Sequence, residues 1–329
     1  MNTDYYIEDD CIYFNPVFNK SLINYIDIIK KYSCIIFSNY ICYDLCIKTK
    51  NNFDYNYKDD YISNMFNQPL TNSLDRQTQL VGLTFGNRFN KPLTNSLDHQ
   101  TQLVELTFGY RFNKPLTNSL AHQTQLIRLT FGHSFNCPLD NSLDHQTQLE
   151  QLVFGDLFDC PLGNSLNQLA QLKKLTFGHR FDCPLDNCLV HLTQLEELTF
   201  GYCFNQELSI PLNIIKLRLD CNNINLMENL PNSIKELYLD MRFNLELNNL
   251  PNSIKIISFA NYSKYNKELN NLPNSVKVIS FDEHCIYDKE LNNLPYFLEK
   301  IFSPIEYDKG IKNINSQYIV ITRKIEKYR

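Results

Sequence analysis

Apolar positions in this chain recur with a long fixed period. Phe66, Phe89, Phe112, Phe135, Phe158, Phe181 and Phe204 stand 23 residues apart, and each of the first six opens a phrase of the form F-N/D-x-P-L. Within the copy that begins at Phe89 the apolar positions are Phe89, Leu93, Leu97, Leu103, Leu106 and Phe108, and the polar residues between them are N-S, D-H-Q and similar turn formers. The alternation in Q-L-x-x-L-T-F-G, with β-branched Thr among Leu and Phe, predicts one short strand per copy. Gly86, Gly109, Gly132, Gly155, Gly178 and Gly201 follow the strands and predict turns. Identical strands at a constant interval predict a parallel stack, one strand per coil, with return arcs long enough for turns or a short helix. A single coil has too few apolar side chains to offset the entropy of ordering it, so stability must come from stacked neighbours.

The predicted fold class is therefore a repeat solenoid: a parallel β-strand stack with coils of about 20 to 23 residues. Residues 1–60 are read as an N-terminal cap containing one degenerate coil, 18–40, where Phe18 and Phe37 repeat the interval between Phe89 and Phe108. Residues 41–65 approximate a further coil, and 61–208 carry the regular repeats. Residues 209–302 carry a shorter form, with Leu-Pro steps at Leu230-Pro231, Leu250-Pro251, Leu272-Pro273 and Leu294-Pro295, where Pro fixes the turn. Residues 303–329 close the C-terminal end, with a terminal strand expected around Tyr318 to Ile321.

The residues that carry the strongest resemblance are F-N-K-P-L at Phe89 to Leu93, L-T-F-G at Leu106 to Gly109 and L-P-N-S-I-K at Leu250 to Lys255. Over roughly residues 60–300 the chain resembles the FNIP repeat, which is itself similar to leucine-rich repeats and is best known from social amoebae and giant DNA viruses of amoebae. The resemblance implies a leucine-rich-repeat-like solenoid. Some members of the family look like ubiquitin-ligase adaptors with an F-box ahead of the repeats, which implies an alternative in which residues 1–60 dock a ligase component. The chain departs from leucine-rich repeats where Arg88 and Arg111 stand in place of the Asn expected three residues after the strand.

Stacking turns each repeat position into a column. Asn72, Asn95, Asn118, Asn141, Asn164 and Asn187 form one, and Asn67, Asn90, Asn113 and Asn136 with Asp159, Asp182 and Asn205 form another; both predict amide ladders between coils. Gln77, Gln100, Gln123 and Gln146 stand where later coils have Leu169 and Leu192, and either tilt outward or make a third ladder. His99, His122, His145 and His191 form a broken column better read as a polar face than as metal ligands, because no carboxylate or thiol closes the set. On the strand face Lys174, Glu197, Lys216 and Glu236 alternate in sign, so this face neutralises itself.

The most varied column follows the strand phenylalanines: Tyr110, His133, Asp156, His179 and Tyr202, with Arg111 and Arg180 beside it. Tyr, Arg and His interleaved on a rigid concave surface are used as interface anchors, so these seven residues are the candidate protein-binding site. The same residues also fit a solvated turn of scattered polarity.

Charge and composition narrow the remaining options. A formal net charge of -5 gives no electrostatic case for nucleic acid or an anionic membrane as partner. The N-terminus lacks a basic segment followed by an apolar run, no stretch is long enough to span a bilayer, and the 11 cysteines lack close C-x-x-C pairs, so a reducing cytoplasm is expected, the host's if the chain is viral. No G-x-S-x-G, P-loop, G-x-G-x-x-G or H-E-x-x-H is present, and repetition offers no single asymmetric constellation. The expectation is a non-enzymatic monomer without cofactor or metal that binds a protein along the strand face, or a structural repeat protein without a specific ligand.

Overall fold

A computed structural model describes residues 4–38, 64–185, 187–305, 307, 309 and 319–322. The chain divides into two compact units, Met1–Leu172 and Lys173–Arg329. In the first, β1 (Tyr5–Glu8) and β2 (Cys11–Phe14) form an antiparallel hairpin. From β2 onward every pairing is parallel: β3 (Cys34–Phe37), β4 (Gly82–Thr84), β5 (Glu105–Thr107), β6 (Arg128–Thr130) and β7 (Gln151–Val153). The register places Ile35, Leu83, Leu106, Leu129 and Leu152 side by side. The second unit repeats the arrangement with β8 (Lys174–Thr176), β9 (Glu197–Phe200), β10 (Lys216–Leu219), β11 (Glu236–Leu239), β12 (Ile256–Phe259), β13 (Val278–Phe281), β14 (Lys300–Ser303) and β15 (Ile319–Thr322), all parallel. Two helices of one turn or little more, α1 (Ile26–Ile29) and α2 (Ile224–Glu228), interrupt return arcs that are otherwise turns. The expected leucine-rich-repeat-like solenoid is what forms.

Paired phenylalanines make the core. Phe85 lies 4.0 Å from Phe89 within one coil and 5.6 Å from Phe108 in the next, with rings nearly parallel, and the same spacing recurs at Phe108 with Phe112 and at Phe131 with Phe135. Offset ring stacking adds to area burial at each step. The pattern reaches further towards the N-terminus than periodicity indicated, because Phe14 stacks on Phe37 at 5.2 Å and on Phe18 at 4.3 Å. Residues 11–17, which carry no clear repeat register in the sequence, thus open a full coil together with Phe18.

Of the coil expected over residues 41–65, residues 41–63 lie outside the described set; β3 pairs directly with β4. Phe37 stacks on Phe66 at 4.0 Å, the spacing that Phe85 and Phe89 show across four residues. Ser38 and Asn64 therefore take the places that the consecutive residues Gly86 and Asn87 hold one coil later. Asn64 donates from Nδ2 to the carbonyls of Asn15 and Ser38.

Two column readings change in the structure. The Gln side chains neither tilt outward nor bond to one another; they are buried, and Gln123 and Gln146 donate from Nε2 at 2.6 Å to the Leu97 and Leu120 carbonyls of the preceding coil. The Asn72, Asn95 and Asn118 column is exposed, and its residues have φ of 57°, 54° and 57°, so Asn is used for its tolerance of the left-handed region. The second column does form a ladder, of side chain to backbone: Asn67 Oδ1 accepts from Asn90 N–H at 2.9 Å, and Asn90 Oδ1 from Asn113 N–H at 2.9 Å. Only an acceptor is needed, which explains why Asp182 serves equally, accepting from Asn205 N–H at 2.8 Å.

The shorter coils arise at the Gln column. Pro251 accepts from Ile254 N–H as Gln100 accepts from Leu103 N–H, so Pro stands where Gln stood. Leu247 to Pro251 is three residues shorter than Leu93 to Gln100, which accounts for the loss from 23 to 20.

Candidate interaction surface

Each corner is set by two buried phenylalanines four residues apart. Phe108 and Phe112 both point into the core, and Gly109 lies so close to the Gly86 carbonyl that a Cβ would sit 2.2 Å from the oxygen. Tyr110 and Arg111 are left to face outward. The candidate residues thus occupy turns at the C-terminal ends of the strands, bordering the strand face instead of lying on it.

In the first unit three of them form one contact chain. The rings of Tyr110 and His133 stack at 4.3 Å with an interplanar angle of 5°, and His133 Nδ1 lies 2.9 Å from Asp156 Oδ2. Arg111 is exposed beside them and has no carboxylate partner among the described residues. In the second unit His179 is exposed with Nε2 3.7 Å from Asp220 Oδ2, Arg180 is exposed, and Tyr202 lies under the Arg242 guanidinium, 4.5 Å from ring centroid to carbon.

Asp220, Met241, Arg242, Tyr262 and Lys264 were not singled out from sequence. Asp220, Met241 and Arg242 follow coils of 19 and 20 residues, and Tyr262 and Lys264 lie on a longer corner, so a period of 23 misplaces them. Backbone bonding restores the register: Lys264 N–H donates to the Met241 carbonyl as Arg111 N–H donates to that of Asn87, which puts Arg242 and Lys264 in the column of Arg111 and Arg180. Asp220 replaces the corner glycine and is nearly enclosed. Burial pushes its carboxyl up from the ordinary range, while the Arg242 N–H at 2.7 Å opposes that shift.

Much of the charge on the strand face is internally matched. Glu105 pairs with Arg128, Lys216 lies 3.2 Å from Glu197 and 3.7 Å from Glu236, and Lys277 lies 2.6 Å from Glu299. Glu197 is the first cause of the rise in the Lys216 pKa. Arg218 closes both arms of its fork on Asp240 at 2.6 Å, which holds its guanidinium charged. His99, His122, His145 and His191 are all exposed, and among the described residues no group of histidines, cysteines and carboxylates has metal-site geometry. The nine described cysteines are free thiols, and Cys137 donates to Asn113 Oδ1 at 3.2 Å. Among the described residues no helix is long and apolar enough to cross a membrane.

The profile of the FNIP repeat matches residues 222–262. No curated protein matches the chain. Among solved structures, CroV588, a circular leucine-rich-repeat protein of a giant virus, superposes with a TM-score of 0.63 at 24% identity over 97% of this chain and 50% of its own. This chain therefore spans about half the length of that relative. The Listeria monocytogenes internalin InlF gives a TM-score of 0.46 at 14% identity, covering 77% of this chain and 83% of its own. TLR13, solved as a complex with ssRNA13, gives 0.48 at 12% identity, covering 74% and 40%. Profile match and superposed fold agree: residues 222–262 match the FNIP repeat, and the chain has a leucine-rich-repeat-like solenoid fold.

Proposed function

We propose that this chain is a non-enzymatic scaffold that binds a partner protein along the strand face and the corners that border it, through Tyr110, Arg111, His133, Asp156, His179, Arg180 and Tyr202. Solenoids of this type serve in general as protein-interaction scaffolds. The observation that carries the reading is the Tyr110–His133–Asp156 chain of contacts. Side chains held in one geometry before binding lose little entropy on binding, and Tyr with adjacent Arg is the composition of interface anchors. The array binds as a monomer in a reducing cytoplasm, which suits its free thiols. Residues 4–38 belong to the first coils and give the ligase-adaptor alternative no support.

A photo-crosslinking residue placed at position 111, at 180 or at solvent-exposed position 99 on the return arc tests this. Crosslinks to a common protein from 111 and 180 and none from 99 are expected. Crosslinks from 99 alone, or equal capture after Arg111→Glu and Arg180→Glu, would sink the proposed surface.

A further inference from the structure

We infer that the corner edge of the second unit receives an acidic peptide segment bearing apolar side chains. The inference rests on the scaffold reading and names the chemistry of its partner.

On the strand face Lys174, Lys216 and Lys277 all have carboxylates within ion-pair reach, and Arg218 is closed on Asp240. Along the corner column Arg180, Arg242 and Lys264 are exposed, and none has a carboxylate within that reach among the described residues. Basic side chains on this edge are thus free to pair with an incoming carboxylate, while Lys174, Lys216, Arg218 and Lys277 are already paired.

Apolar and aromatic exposure follows the same edge. Tyr202 is 46% exposed, Met241 43% and Tyr262 57%; Met241 and Tyr262 lie on the corners of Arg242 and Lys264, and Tyr202 lies under the Arg242 guanidinium. The Lys264 N–H to Met241 carbonyl bond joins two of these corners, and Asn222 Nδ2 donates to the Arg242 carbonyl from the corner before. Isolated exposed residues need no explanation, but Tyr, Met and Arg gathered along one edge match the composition enriched at interface centres.

Arg242 is the residue best prepared for a carboxylate. Its backbone N–H is anchored to Asp220 Oδ1 at 2.7 Å, and its guanidinium rests over Tyr202. Ring stacking leaves the donor edge of the guanidinium open, in contrast to Arg218, whose donors are spent on Asp240. A short acidic segment responds to this local field within a screening length. A long polyanion also meets a molecule of net charge -5, so nucleic acid is the poorer occupant.

The probe is a display library of random peptides about a dozen residues long, selected on the immobilised full chain, with enriched peptides then measured by fluorescence anisotropy. Enrichment of Asp and Glu beside aromatic or aliphatic residues is expected. Arg242→Gln with Lys264→Gln should weaken such peptides by about tenfold or more, and raising salt should weaken them further. Lys277→Gln, on the matched strand face, should leave them unchanged. Tyr262→Ala supplies an independent variant should the double replacement disturb folding, which the thermal midpoint reports. Enriched peptides that are neutral or basic, acidic peptides indifferent to both sets of variants, or tighter binding of a single-stranded oligouridine would overturn the inference. If neutral peptides bind and crosslinking at 111 and 180 still captures a protein, the scaffold reading survives and this one fails; failure of both experiments removes both.

Discussion

Gly132 shows how a repeat can fix a residue by closeness. A Cβ there would lie 2.0 Å from the Gly109 carbonyl oxygen, which is backbone and cannot turn away. Gly132→Ala must push coils apart and should destabilise the first unit by about 3 kcal/mol or more, read from urea unfolding. Gly163 is glycine for the other reason: its φ is 49° and nothing stands near its absent Cβ. Gly163→Asn should be tolerated, since Asn72, Asn95 and Asn118 adopt the same conformation, while Gly163→Val should cost about 1–2 kcal/mol. Sequence alone marks glycines and asparagines at turns without separating these causes. The Gln column has a similar hidden logic. Gln123 Nε2 reaches the Leu97 carbonyl, but that carbonyl also accepts the Gln100 N–H at 2.9 Å, and Gln123 Oε1 is enclosed without a partner among the described residues. Gln123→Leu therefore removes an unsatisfied acceptor at small cost and should fall within about 1 kcal/mol of the parent. Gln123→Ala, which leaves a cavity, should cost about 2–4 kcal/mol in the same titration.

At the scale of elements, the N-terminal hairpin is fastened by one carboxylate. Asp4 accepts from Lys20 Nζ at 2.9 and 2.8 Å and from Tyr25 Oη at 2.6 Å, so β1 and the turn before α1 are tied together. Lys20 first, then Tyr25, holds the Asp4 carboxyl below its ordinary value. A depressed carboxylate pKa contributes stability above the unfolded value, and that contribution is lost as pH falls through the lower folded value. Signals of Tyr5 to Phe14 in amide NMR spectra should therefore shift or broaden in mild acid before those of β5 to β7, and Asp4→Asn should remove this early acid response. An acid transition of identical midpoint in Asp4→Asn would show that the tie carries no weight. These strands were legible to different degrees. Strands β4 to β9 follow from L-T-F and its period, because nothing but a stacked coil repeats Phe at 4 and 19 residues. Strands β1 and β2 were not, since C-I-Y-F lacks the repeat phrase and is recognised only when Phe14 is seen on Phe37.

For the molecule as a whole, the register is the property that the sequence states most plainly, and the candidate surface the property it states least. Core positions are constrained by every neighbouring coil, so Phe and Leu recur without error. Corner residues are constrained only by the turn, so identity drifts and insertions accumulate there: Phe259 to Tyr265 spans six residues where Phe108 to Phe112 spans four, which takes Lys264 off a period of 23, while the shorter coils before it displace Arg242. The same separation of constraints predicts how the array responds to shortening. Deleting residues 90–112 joins Phe89 to Asn113 and removes one complete period, leaving every later column in register with its neighbours. The Asn67 Oδ1 acceptor would then meet the N–H of Asn113 in place of that of Asn90, and the phenylalanine stack would close without a gap. That variant should fold, with a smaller dependence of stability on urea in proportion to the surface it no longer buries. Deleting residues 90–100 instead removes about half a coil. Leu103 and Leu106 would then fall out of line with the core columns on either side, and the product should lose cooperative unfolding. Equal stability of the two deletions would mean that the coils do not act as a register-dependent stack.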